Sequence, residues 1–314
     1  MNRTSGKILM ITLLIPILIL SIFISISVGP AGIGLSVDPR ILDFRLCRTF
    51  LASIVGASLA TAGCAMQSLF RNPLADPYII GVSSGASVGA ALAILLGQGS
   101  MGLMLSAFLC SLLTVYVVYQ LGKDSTYALL LAGVAMATFL SGLTSLLVYV
   151  STESMHEIVF WIMGGFWTAK WIKVKMIFFP AVIGVTILSL NSWRMNALLL
   201  GEEHAMSVGI DLKKFKAIII AASALLTASA VSVSGVIGFV GLIIPHTMRL
   251  ILGYDNRTLI PASMLFAAAF MPLIDTASRM LMNGELPVGI ITSLIGAPFF
   301  IYLLKRGSGF GTES

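Results

Sequence analysis

Chemistry has few places to reside in this chain of 314 residues, which holds only 13 acidic side chains and three histidines. His156-Glu157 opens the zinc-protease pattern H-E-x-x-H, but Phe160 stands where the second histidine must be, so that ligand pair is incomplete. Gly122-Lys123 is followed by Asp124 and has no glycine five residues before it, so no phosphate-cradling loop is formed there. The stretch Gly81 to Gly85 resembles a serine-nucleophile elbow only loosely, in a Gly-rich setting without a strand-turn-helix context. Cys47, Cys64 and Cys110 lack ligand spacing such as C-x-x-C, and His156, His204 and His246 are dispersed, so no metal site is expected. What remains is charge chemistry: Asp275 and Arg279 are four residues apart and can pair across one helical turn.

The elements that must hold these groups are set by the solvent. Of the residues, 58% are hydrophobic and 10% charged, with a mean hydropathy of +1.01, whereas soluble domains carry about 25% charge. Apolar runs near the roughly 20 residues that cross a bilayer recur along the whole length. They fall at 8–28, 47–70, 78–97, 101–121, 126–150, 171–190, 214–233, 236–253, 258–282 and 287–304, an all-α polytopic fold of ten transmembrane helices in a single domain, 1–314. The first run is longer than a signal peptide's apolar core of about 7 to 15 residues and reads as a retained span. Residues 155–163 are apolar but too short to cross, which predicts a re-entrant or interfacial helix. Trp161, Phe166 and Trp167 beside it suit either a pathway wall or an interfacial aromatic belt.

An even number of spans puts both termini on one side, and both are basic, with Arg3 and Lys7 at one end and Lys305 and Arg306 at the other. The excess of Lys and Arg on that side makes it cytoplasmic. Arg45, Arg48, Lys173 and Arg279 fall on the opposite side, where snorkelling at helix ends or a basic rim for an acidic partner would explain them. Ionisable groups at membrane depth cost about 2.5 to 3.5 kcal/mol unless paired or hydrated. Asp275, Glu285 and His246 should therefore face protein or a cavity, with a structural pair favoured for Asp275. Pro245 can free a carbonyl that His246 offsets, and a proton relay is the sharper alternative for His246.

Two inward-facing stretches carry more information. RNPLADP, residues 71–77, places Pro73 and Pro77 where they can stop or start a helix, and Gly81, Gly85 and Gly89 then recur on one helical face as close-packing positions. Residues 193–214 hold two short helices broken at Gly201 and Gly209, with Glu202 and Glu203 in the first turn of the second. Leu198, Leu199, Leu200, Ala205, Met206 and Val208 are too apolar for a solvated linker, and such a segment suits docking onto another protein.

Several ordered motifs together resemble one family: the permease subunits of ABC importers for iron-siderophores, haem and vitamin B12. They are RLCR at 45–48, GASLATAGCAMQSLFRNPLADP at 56–77, GVSSGA at 81–86, LGEEHA at 200–205, SGVIGFVGLIIPHTMR at 234–249, ELPVGI at 285–290 and GAPFF at 296–300. The resemblance covers nearly the whole chain. It implies a vitamin B12 importer-like homodimer with the pathway between two copies, alternating access, two separate ATPase subunits that bind ATP and Mg, and an extracytoplasmic substrate-binding protein. It also implies an inner membrane of a prokaryote, and neither a cofactor on this chain nor a nucleic-acid partner. By resemblance Leu200, Gly201, Glu202, Glu203, Ala205, Met206 and Gly209 couple to the ATPase, and Arg45, Arg48 and Arg279 meet acidic groups of the binding protein. Gln67, Asn72, Pro73, Pro77, Gly81, Ser84, Gly85, His246, Asp275 and Glu285 are implied as packing or pathway positions. Cys47 replaces the proline of the commoner R-x-P-R, which alters the helix start and keeps both charges. The rival is an ion-gradient-driven transporter coupled through Asp275, Glu285 or His246, which inverted repeats would favour, and the halves show no clear duplication.

Overall fold

The computed structural model describes residues 3–282 and 284–307, with side chains described from Gly6 to Tyr302 apart from position 283. The side chains of Arg3, Lys305 and Arg306, invoked for orientation, lie outside the described set. Among the described residues, thirteen α-helices are joined by short turns and one small hairpin. In chain order they are α1 (Arg3–Ser27), the hairpin β1 (Val28–Gly29) and β2 (Gly32–Ile33), α2 (Pro39–Leu69), a 3-10 turn (Pro77–Ile80) and α3 (Val82–Leu95). Then come α4 (Ser100–Gly122), α5 (Thr126–Val150), α6 (Met155–Ile162), α7 (Trp171–Leu190), α8 (Ser192–Leu199) and α9 (Glu202–Ser207). The chain continues through α10 (Leu212–Ser234), α11 (Val240–Leu252), α12 (Asn256–Met280) and α13 (Val288–Gly307).

Seven of these are long and apolar enough to span a membrane: α1 from Gly6, α2, α4, α5, α7, α10 and α12. Two of the other runs read as spans form shorter helices, and the third forms α13, whose side chains are described only as far as Tyr302. Residues 77–80 wind into the 3-10 turn and leave α3 with 14 residues, while 235–239 fall outside helix and leave α11 with 13. In the other direction, α2 begins eight residues before its apolar run. Asp38 accepts a hydrogen bond from the Arg40 amide and Pro39 occupies the first turn, so capping starts the helix well before hydrophobicity does. At 31 residues, α2 is about 46 Å long at 1.5 Å per residue.

The core is a sleeve of α1, α7, α10, α11 and α12 around α2, which is buried along most of its length. Close approach rests on small residues. A Cβ on Gly63 would collide with the Gly241 carbonyl of α11, and one on Gly56 would lie 2.5 Å from the Ala267 carbonyl of α12. Likewise Gly85 and Gly89 set α3 directly on the α4 backbone at Cys110 and Ser106. Gly81 also packs closely, since a Cβ there would lie 3.1 Å from Thr114 of α4, and at φ +81° it ends the 3-10 turn in the left-handed region. Hydroxyls supply the polar joints. Ser21 of α1 donates to the Ala269 carbonyl of α12, and Ser25 lies 2.9 Å from Thr49 of α2.

Candidate functional site

Two sites sit at opposite ends of the α2–α12 pair. At the end where α2 begins, Arg48 is 1% exposed and forks between two carboxylates. Its Nε and Nη2 donate to Asp275 at 2.8 to 2.9 Å, and Nη1 donates to Glu285 at 2.8 Å. Arg279 adds a contact of 3.3 Å to Asp275 and donates to Thr276 Oγ1 and to the Ser25 carbonyl. Arg45 turns the other way and donates to the carbonyls of Ile26, Ser27 and Gly32, pinning the hairpin to α2. Gly29 is needed there because a Cβ would lie 2.7 Å from the Arg45 guanidinium.

Three buried guanidinium groups against two carboxylates leave this cluster with one surplus positive charge. Removing one partner from such a network strands an ion at low dielectric, at a cost of about 3 to 5 kcal/mol. The rim expected from Arg45, Arg48 and Arg279 is corrected in this respect: all three point inward and are buried. Fully desolvated guanidinium groups are stable only when their donors are used, and the fold uses them internally. Asp275 pairs with Arg279 as its spacing indicated, and Arg48, 227 residues earlier, is its stronger partner.

At the other end, the break at Gly201, with φ +123°, turns α8 into α9. Here the sequence-selected residues divide. Leu200 is 73% exposed and Met206 54%, with Val208 and Glu203 also exposed, so a row of apolar side chains faces outward. Ala205, expected among the coupling residues, is wholly buried and faces the core. It seats α9 on the core, and Gly209, at φ +83°, ends the short helix.

Glu202 also faces inward. Its Oε1 accepts from Lys216 Nζ at 2.8 Å and from Thr126 Oγ1 at 3.2 Å, and these bonds tie α9 to α10 and to the start of α5. The Lys216 hydrogen bond is the main cause that holds the Glu202 carboxyl below its ordinary range. A second tie, absent from the sequence reading, fixes α8. Asn196 donates to Asp255 at 2.7 Å and accepts from the Asn256 backbone and side chain at 2.8 and 2.9 Å. Asn256 in turn accepts from Ser68 at the end of α2 at 3.2 Å. Burial opposes ionisation of Asp255, and donors from Arg257 and Asn196 overcome it, holding its pKa at about 2. Asp255 caps α12 by accepting the Arg257 amide, and nothing in the sequence distinguished Asn196 from a solvated residue.

RNPLADP lies beside this end as a compact turn. Asn72 and Asp76 each accept an amide hydrogen bond two residues on, from Leu74 and Tyr78. Pro77 packs on Gly241, and Tyr78 donates to the Ile237 carbonyl. Gln67 donates to the Leu242 carbonyl at 3.0 Å. His246 is half-buried beside the Pro73 backbone, whereas Ser84 is half-buried on α3. At the opposite end Phe166 belongs to the core at 1% exposure, so it is neither belt nor pathway, while Trp167 lies 4.3 Å from Phe160, ring centre to ring centre. Among the described residues no cluster of three His, Cys, Asp or Glu could hold a metal.

An inward-committed charge cluster at one end and an anchored apolar row at the other are joined by α2 and α12. The sequence profile of the FecCD transport family matches residues 8–306. The chain belongs to the FecCD transport family. This FecCD chain is 45% identical over 266 residues to the cobalamin import system permease protein BtuC of Halobacterium salinarum, covering 83% of this chain and 72% of the relative. It is 40% identical over 287 residues to the molybdate import system permease protein MolB of Haemophilus influenzae, covering 87% and 85%. A solved structure described as an inward-facing conformation of a metal-chelate type ABC transporter superposes with a TM-score of 0.89 at 38% identity, covering 94% of this chain and 98% of that one. The FecCD chain is accordingly an integral-membrane permease of the ABC-importer type.

Proposed function

We propose that this permease works as a pair of identical chains, driven by two separate ATPase subunits and fed by an extracytoplasmic binding protein, with the pathway opening alternately to either side. The observation that carries this reading is the α8–α9 segment. Its exposed row of Leu200, Met206 and Val208 is apolar enough to demand a protein partner, and its two polar ties run straight into α2, α5, α10 and α12. A partner that displaces α9 therefore acts on the helices that build the core. In this reading all ten apolar helices lie in the membrane, both termini and α8–α9 face the cytoplasm, and docking of the binding protein falls to exposed groups around the buried Arg48 cluster, with Glu285 at its edge.

The cargo we infer is a metal-centred compound. The relatives' names specify cobalamin, molybdate and metal chelate, which share a transition metal and differ in size and charge. Selection among such compounds then belongs mainly to the binding protein. The test is copurification from the native membrane followed by uptake in proteoliposomes. An ATPase that copurifies and confers ATP-dependent accumulation supports the proposal. Accumulation driven by an ion gradient with the chain alone would replace it with the secondary-transporter reading.

A further inference from the structure

Away from both sites, a cleft of ≈ 380 Å³ opens between α4, α6, the 163–170 loop, α7 and α10. That volume lies within the roughly 300 to 1,000 Å³ of small-molecule sites. Lys173 is at its floor, only 5% exposed. Its ammonium donates to Thr168 Oγ1 at 2.6 Å and to the Val233 carbonyl at 3.1 Å. Both acceptors are neutral, and among the described residues no carboxylate lies within 4 Å. A lysine ammonium has three donors, so one hydrogen bond and the whole of its charge are unanswered. Glu157 lines the same cleft, exposed and likewise unpaired. Phe160, Trp161 and Trp167 line the cleft as well, the first and last in ring contact.

A buried cation, an exposed carboxylate and aromatic faces lining one cleft form a complementary template for a molecule that carries both charges. The floor takes oxyanion oxygens through a charge-assisted hydrogen bond. The exposed carboxylate takes an ammonium, with the ring faces adding cation–π attraction. We propose that this cleft binds a zwitterion consisting of a phosphate joined through a short link to an ammonium group. That chemistry occurs both in a phospholipid headgroup and in free phosphoethanolamine-type molecules. The proposal is independent of how transport is powered.

The test uses the purified full-length chain in nanodiscs of purely anionic phosphatidylglycerol. Soluble glycerophosphoethanolamine is titrated by calorimetry, and a parallel arm adds phosphatidylethanolamine and counts retained lipid by native mass spectrometry. Saturable binding in either arm supports the site, and the arm that responds identifies the source. Lys173→Met should weaken it about tenfold or more. Because that buried substitution can damage folding, Glu157→Gln at the exposed carboxylate provides a second reading and should weaken the zwitterion while leaving inorganic phosphate unaffected. The proposal is overturned if neither probe saturates, if inorganic phosphate binds as tightly as the zwitterion, or if a folded Glu157→Gln chain binds like the parent.

Discussion

The two ends of the α2–α12 pair solve opposite problems. At the Arg48 end the charges are dry and answered from within, with Arg48 held between Asp275 and Glu285 and Arg279 behind them. At the Asn196 end the polar groups lie beneath an apolar row that has no partner within the chain. The first arrangement fixes helices to one another. The second fixes a surface to the helices, and so passes displacement of that surface into the bundle.

The contrast is broken most forcefully at Arg48. Arg48→Met leaves Glu285 without its partner and Asp275 with Arg279 alone, and should remove about 3 to 5 kcal/mol of stability. Unfolding of the detergent-solubilised chain would show this as a collapse of the transition, with uptake lost because folded protein is lost. Next comes Asn196→Ala, which strands the buried Asn256 donors and should cost about 1 to 3 kcal/mol. Unlike Arg48→Met, the surviving folded fraction should hydrolyse ATP with its partner while accumulating less cargo per ATP, a ratio that a purely structural lesion would not change.

Smaller in stability and large in function is the pair Leu200→Glu and Met206→Glu. Both side chains are exposed, so unfolding should move by no more than about 0.5 kcal/mol, while the copurified ATPase disappears. Smallest is Glu202→Gln, at about 0 to 1 kcal/mol for a partly exposed pair. Its sign with pH is fixed: the Glu202 carboxyl is held below its ordinary value, so its contribution is full above about 4.3, the value of a free glutamate, and is lost as pH falls through the lower folded value. Parent and variant should therefore differ in thermal stability at neutral pH and converge on acidification.

Much of the fold was legible because lipid imposes long apolar runs, and the short helix at 155–162 and the Gly201 break stood out against them. The misread elements share a cause. Capping by Asp38-Pro39, the 3-10 turn at 77–80 and the non-helical 235–239 segment are backbone decisions that hydropathy does not register. Site residues divided in the same way. Exposure of Leu200 and Met206 followed from a local pattern, whereas the inward turn of Arg45 and Arg48 and the role of Asn196 depend on partners 13 to 237 residues away in sequence, and Ala205 is buried against the core. Asp275 and Arg279 were readable because their pair is local.

The most direct test of force entering through α9 is a single reconstitution comparing parent chain and the Leu200→Glu, Met206→Glu double variant, each with its ATPase and ATP, across vesicles holding no ion gradient. The parent should concentrate cargo and the double variant should not, although both insert and unfold alike. Equal accumulation by the two would contradict the account, because the surface proposed to receive the motion would then be dispensable.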